Sequence, residues 1–245
     1  MEIRIDKLLV DKQLALNRMD AERIIKTYGV LVNGKLINKT GKKFTEDAEI
    51  KLIINDERWK SIDAQKISTA LDQWKIDIKK STWIDYSNET CAASEVLLAN
   101  GATHTICIPQ HSKIIKEIFK EDERITIIDK KALRFLSSKT ITENYSGLFI
   151  DSTNEALKDV LPFICPFLAD NGVAIVVIKP QIEADKSKVN KFGLLTDTKL
   201  YPEIVESAKE CAALSQLVYQ DHILSPILGE NGNKEFIGFF KKLKS

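Results

Sequence analysis

The sequence predicts a doubly wound α/β sheet preceded by a small α+β unit. Three observations carry that reading: a strand–helix–strand rhythm from Thr82 onward, an Asn-Gly hairpin behind two amphipathic helices in the first 55 residues, and a change of charge between them. The 245 residues are 44% hydrophobic and 29% charged, enough apolar material for a packed core and too much for a disordered chain. Lysine and arginine (36) nearly cancel aspartate and glutamate (35), which excludes a histone-like or acidic-tail protein. Residues 1–60 carry 13 basic and 10 acidic residues and the remainder 23 and 25, so a basic module of +3 precedes an acidic one of −2. The excess is concentrated in residues 1–43, with ten basic residues against five acidic.

In the first module, Ile5, Leu8 and Leu9, then Ala21, Ile24 and Ile25, recur at helical spacing and predict two short amphipathic helices. Asn17 is a suitable cap for the second, and Tyr28-Gly29 ends it. Val30–Ile37 reads as two strands around Asn33-Gly34, and Lys51–Ile54 as a third. A unit of this size has a marginal core and is expected to rest against something larger. The polar stretch Asn55–Lys66 around Trp59 reads as the connection, and a large amphipathic ring there is expected to tuck between the two units. The boundaries follow as 1–58 for the basic domain, 59–66 for the linker and 67–245 for the sheet domain.

From Thr82 the chain reads TWIDY, a helix over Ala92–Ala99, THTICI, a helix over Lys113–Phe119, RITIID, SGLFID at Ser146–Asp151, a helical stretch Asn154–Phe167, and GVAIVVIK at Gly172–Lys179. Such alternation means a parallel sheet covered on both faces. A helix around Pro202–Leu214 then leads to LVYQDHIL and EFIGFFKKL, two strands expected to pair antiparallel at the edge of the sheet. Ligands of such sheets sit at the carboxyl ends of the strands, where strand order reverses, which selects Asp85, Pro109, Asp151 and Lys179.

Cys91, Cys107, Cys165 and Cys211 form no CxxC pair and read as reduced thiols of a cytoplasmic protein. MEIRIDKLLV lacks the apolar centre of a signal peptide, and Val160–Ala169, broken by Pro162 and Pro166, is far short of the roughly 20 apolar residues of a membrane span. His104, His111 and His222 lie apart without metal-ligand spacing, so no metal is expected.

RIDKLLV, NRMDAERII and GVLVNG together resemble the RNA-binding domain named after the fourth protein of the small ribosomal subunit. The resemblance implies that Arg4, Lys7, Arg18 and Lys26 line a face that meets phosphates, with Lys42 and Lys43 of TGKK adding to it. A doubly wound domain with a KPQxE segment behind it resembles the TlyA family, whose members carry the names hemolysin and ribosomal RNA ribose 2′-O-methyltransferase, and whose second domain is similar to the FtsJ type. The FtsJ type uses a Lys-Asp-Lys-Glu tetrad. Matched motif by motif, the resemblance places it on Lys66 of IDAQKIS, Asp151 of FIDSTNEAL, Lys179 of VIKPQIEADK and Glu235 of GNKEFIGFF.

The tetrad also makes chemical sense by itself, because a ribose hydroxyl is a poor nucleophile and needs a positioned amine to manage its proton. The implied cofactor is S-adenosylmethionine and the implied partner ribosomal RNA or a ribosomal subunit. The chain departs from the family's DxGxxxGG turn: Asp85 is kept, but Ser87, Cys91 and Ala92 replace glycines and Tyr86 stands beside them. At the end of the next strand Pro109 replaces the acid that binds the cofactor ribose, leaving Gln110 and Asp129 as the candidates to substitute for it. Two functions are therefore expected in competition: an active methyltransferase, or a degenerate methyltransferase fold that binds ribosomal RNA without methylating it. A membrane-damaging role has no span and no sustained basic amphipathic stripe behind it.

Overall fold

The computed structural model describes residues 2–15, 17–53, 58–59, 61–87, 91–109, 115, 122–130, 145–152 and 154–244. In the small N-terminal unit, strand β1 (Glu2–Arg4) leads into α1 (Ile5–Asp11) and then α2 (Arg18–Thr27). The side chain of Asn17 accepts a hydrogen bond from the Asp20 amide at 2.9 Å, the expected cap. Gly29, at φ +75°, lets the chain leave α2 in a left-handed turn while its N–H reaches the Ile24 and Ile25 carbonyls. Strands β2 (Val30–Val32) and β3 (Lys35–Ile37) close on Asn33 and Gly34, both at positive φ, as a two-residue hairpin requires. β4 (Lys43–Thr45) and β5 (Ile50–Leu52) follow. β5 pairs with β2 as the third strand, while β4 pairs with β1, a ladder the sequence pattern did not suggest.

The core of this unit is Ile5, Leu8, Leu9, Ala21, Ile24, Ile25, Val30 and Val32, and it is completed by Ile62 from the connection and Ile227 from the larger unit. The small domain thus does rest on its neighbour. Helix α3 (Ala64–Trp74) begins inside the stretch expected to be the connection, so Ala64, Gln65 and Lys66 are helical.

The larger unit is one seven-stranded sheet: β6 (Thr82–Ser87), β7 (His104–Cys107), β8 (Ile125–Ile127), β9 (Tyr145–Asp151), β10 (Leu168–Ile178), β11 (Leu217–Leu224) and β12 (Phe236–Lys242). Their spatial order is β11-β12-β10-β9-β6-β7-β8, and β12 alone runs against its neighbours. The chain winds outward through β6, β7 and β8, then restarts at β9 beside β6, so order reverses between β6 and β9. Helix α4 (Ala92–Ala99) packs with α3 on one face, over Trp83, Phe149, Ile175, Val177 and Ile237. On the other face, α5 (Leu157–Ile164) and α7 (Tyr201–Leu214) cover Ile84, Leu148, Ile150, Val176 and Phe240. The short α6 (Pro180–Glu183) follows β10. Gly147 of β9 is required by close approach: a Cβ there would collide with the indole of Trp83.

Two expected elements are shifted. The helix expected over Asn154–Phe167 is α5 with a 3-10 turn at Cys165–Phe167, and β10 starts four residues before Gly172, with an irregularity in its pairing to β9 between Leu168 and Val173. The helix expected over Lys113–Phe119 lies, Ile115 apart, outside the described residues.

Candidate active site

Three strands and one helix deliver their ends to one edge of the sheet. Asp151 closes β9, Lys179 follows Ile178 at the end of β10, and Glu235 precedes Phe236 at the start of β12. Because β12 is antiparallel and Ile178 pairs with Phe236, the start of one strand lies beside the end of the other. Lys66 reaches the same point from the first turn of α3.

The structure therefore brings all four expected residues together. Lys66 Nζ donates to Asp151 Oδ2 at 2.9 Å and to Glu235 Oε2 at 2.7 Å, and Lys179 Nζ stands 2.7 Å from Asp151 Oδ1. All are buried, Lys179 the most accessible at 8% of its side chain. Two ammonium groups alternate with two carboxylates, so the site is neutral in sum. Burial alone would push Lys66 down, but the carboxylates of Asp151, Glu235 and Asp63 outweigh it and hold the amine well above its ordinary value. Burial would likewise raise Asp151, yet Lys179 and Lys66 pull it far below the usual carboxylate range. Lys66 is thus held as a cation between the two acids, while Lys179 is the most accessible of the four.

Further residues complete the site without having been expected. Gln181 Nε2 lies 3.4 Å from Glu235 Oε1, and the backbone of Gly229 passes so close to Glu235 that a Cβ there would strike its carboxylate. Glu183, the acid of KPQxE, is in a different place: its Oε1 accepts the Leu157 amide at 3.0 Å and caps α5. Burial raises Glu183 to about 7 and Asp85 to about 6. Both folded-state values lie above the roughly 4 of an unfolded carboxyl. Between about pH 4 and 7 the folded chain therefore holds protons that the unfolded chain has released, and stability falls as pH rises through that window. Glu183→Gln is expected to flatten the decline of the urea midpoint between pH 5 and 8; an unchanged slope would deny Glu183 this part.

At the end of β6, Ser87 pairs in register with Asp151, which sets the β6 end directly beside the four residues at the reversal of strand order. Asp85 is fully buried, its Oδ2 accepting from the amide and hydroxyl of Ser94 at 2.8 and 2.9 Å. The Ser87 hydroxyl also stands against the Asp85 carboxyl and, with Ser94, partly offsets the upward push of burial on it. Cys91 adopts φ +45°, the left-handed conformation glycine would favour, immediately before buried Ala92 opens α4. Cys91 thus keeps a left-handed backbone without being glycine.

Cys91 also packs with Cys107 and Ile115, and the ligand atoms of Asp85, Cys91 and Cys107 lie within 4.8 Å of one another. Burial pushes both thiols up, the protonated state of packed side chains rather than of reactive thiolates. Pro109 is buried at the end of β7, Asp129 is exposed beyond β8, and Gln110 lies outside the described residues.

The basic face is less free than the sequence implied. Arg4 donates to both oxygens of Asp6, at 3.0 and 2.8 Å, and Arg18 Nε to Oδ2 at 3.0 Å. Arg4, above all, with Arg18 and the Lys7 amide, holds Asp6 down at about 2. Arg18 and Lys26 share Glu22. These contacts balance part of the charge but also aim it: Arg4 pairs across β1 and β4 with Lys43, and the Ile5 amide bonds the Lys42 carbonyl, so Arg4, Arg18, Lys42 and Lys43 share one edge with the exposed Lys7.

Residues 3–50 match the S4 domain family. Over 235 residues the chain is 26% identical to YqxC of Bacillus subtilis, provisionally named an rRNA methyltransferase, spanning 96% of this chain and 84% of that protein. It is 24% identical over 234 residues to TlyA of Mycobacterium tuberculosis, a 16S/23S rRNA (cytidine-2′-O)-methyltransferase, spanning 95% and 87%. The chain is similar to TlyA over nearly its whole length. A solved structure from Streptococcus thermophilus, provisionally named a hemolysin, superposes over 100% of this chain and 90% of its own with a TM-score of 0.78 at 24% identity, a likeness of fold. Among the described residues no helix is long and apolar enough to cross a membrane.

Proposed function

We propose that this chain binds ribosomal RNA through its S4 domain and transfers a methyl group from S-adenosylmethionine to a ribose 2′-hydroxyl. The observation that carries this reading is the buried Lys66–Asp151–Lys179 chain, closed by Glu235, beside the reversal of strand order. Lys179 Nζ, having lost a proton to solvent, accepts the proton of the attacking hydroxyl, and Asp151 stabilises the ammonium that results. Lys66 holds Asp151 and Glu235 in place, and the S4 domain presents the RNA.

The bound cofactor supplies an electrophilic methyl on sulfonium. The buried Asp85 and Ser87 at the end of β6, with the left-handed backbone at Cys91, would hold its amino acid end, and Gln110 and Asp129 are the candidates for its ribose. Pro109, which offers the ribose no acceptor side chain, favours a second reading, an RNA-binding scaffold that no longer uses the cofactor.

Calorimetry of S-adenosylmethionine with the full chain, with and without ribosomal subunits, together with labelled methyl transfer, separates the two. Cofactor binding and ribose labelling are expected; RNA binding without either would leave the scaffold. RNA affinity is expected to fall steeply with salt, and Arg18→Ala to weaken it and to lower the salt slope by about one. A filter-binding series that is flat in salt would remove the S4 face from the reading.

A further inference from the structure

The tetrad does not end at Lys66. Asp63, one turn earlier and at the N-terminal boundary of α3, makes no capping bond. Its Oδ1 instead accepts from Arg23 NH1 at 2.8 Å and lies 4.0 Å from Lys66 Nζ. Arg23 belongs to α2 of the S4 domain, where its NH2 also donates to Asp20 Oδ1 at 2.9 Å. Charges of alternating sign therefore run without a break from Asp20 through Arg23, Asp63, Lys66 and Asp151 to Lys179. Arg23 and Asp63 retain only 19% and 13% of their side-chain exposure, so this pair is far less screened than a surface ion pair.

A second tie starts at the end of the same helix. Tyr28 donates its hydroxyl hydrogen to the Leu228 carbonyl, and the next residue, Gly229, abuts the Glu235 carboxylate. Helix α2 is thus fixed at Arg23 to the element carrying Lys66 and at Tyr28 to the segment packed on Glu235, while it carries Arg18 and Lys26, two of the residues assigned to RNA.

We propose that Arg23 and Asp63 are positioning residues that set the distance and orientation between the RNA-binding face of α2 and the Lys179 amine. The inference rests on the methyl-transfer reading above. Acceptor geometry is where a displacement of about 1 Å costs about 100-fold. RNA affinity, supplied by phosphate contacts on α2 itself, does not need the pair.

The test compares wild-type chain with Arg23→Gln, Asp63→Asn and the double variant in labelled methyl transfer to unmodified ribosomal subunits, at saturating RNA and per RNA-binding-competent molecule. Each single variant is expected to lower kcat at least tenfold with RNA Kd within twofold of wild type. The double variant should fall no further than the worse single, since both remove one link. Arg23→Lys, which keeps the charge but not the two-headed reach, should recover part of the rate. If Arg23→Gln fails to fold, Asp63→Asn carries the comparison alone. Unchanged kcat in Asp63→Asn, or a loss confined to Kd or to thermal midpoint, overturns the inference. Absence of transfer by wild type overturns the methyl-transfer reading, and this inference with it.

Discussion

Lys179→Met is expected to reduce methyl transfer by about 10²- to 10⁴-fold, the range for loss of a positioned acid–base group, while RNA affinity stays at the wild-type value. Methionine keeps an unbranched apolar stem of similar length, so the 8%-exposed slot at the end of β10 remains filled. Asp151 keeps its second cation, since Lys66 Nζ remains 2.9 Å from Oδ2, and no carboxylate is stranded. The loss should therefore appear in kcat with little change in the urea midpoint, a separation that few buried charged positions allow. Lys179→Arg should not rescue, because guanidinium cannot give up its proton near neutral pH. Transfer at the wild-type rate in Lys179→Met, measured with tritiated S-adenosylmethionine under single-turnover conditions, would move the proton-handling role away from this amine.

Much of this arrangement was legible in the sequence because it is written in short-range patterns. The Asn17 cap, the Gly29 exit and the Asn33-Gly34 hairpin are local conformational demands. The alternation from Thr82 is a periodicity, and the expected strand ends put Asp151 and Lys179 on the functional edge before any distance was known. Lys66 and Glu235 followed from the resemblance alone, since no local pattern marks the first turn of α3 or the residue before β12 as part of a site. What escaped was convergence across long separations. Arg23 and Asp63 are forty residues apart and read as two more charges on polar helices, although their pairing joins the domains. Asp6, an unremarkable acid in a basic segment, gathers Arg4 and Arg18. Cys91 and Cys107 carry no spacing signal because one stands before α4 and the other ends β7, and only the fold packs them together. Ladder β1–β4 escaped for the same reason: three residues on each side are too few for an alternation to declare itself.

Lys66→Met is expected to cost stability rather than only rate. Lys66 Nζ is the one group among the described residues that bonds both acids of the tetrad, and its side chain is 3% exposed. Removing a single partner from a buried ion pair costs about 3–5 kcal/mol, because the remaining charge is left in a poorly solvating place. Asp151 would still have Lys179, whereas Glu235 would keep only the 3.4 Å contact from Gln181. Glu235 should therefore be the stranded group.

The sign follows by linkage. In the wild type the lowered Asp151 contributes stability that is present above about pH 4, the value of an unfolded carboxyl, and is lost on acidification below it. In Lys66→Met the Glu235 carboxylate has lost its buried cation, and a charge left in that place works against folding. The deficit against wild type should accordingly be larger at pH 8 than at pH 5 in urea unfolding. Adding Glu235→Gln to Lys66→Met should then recover stability at pH 8 without recovering methyl transfer. A deficit equal at both pH values would mean that Lys66 acts by filling space, and that the two carboxylates do not depend on its charge.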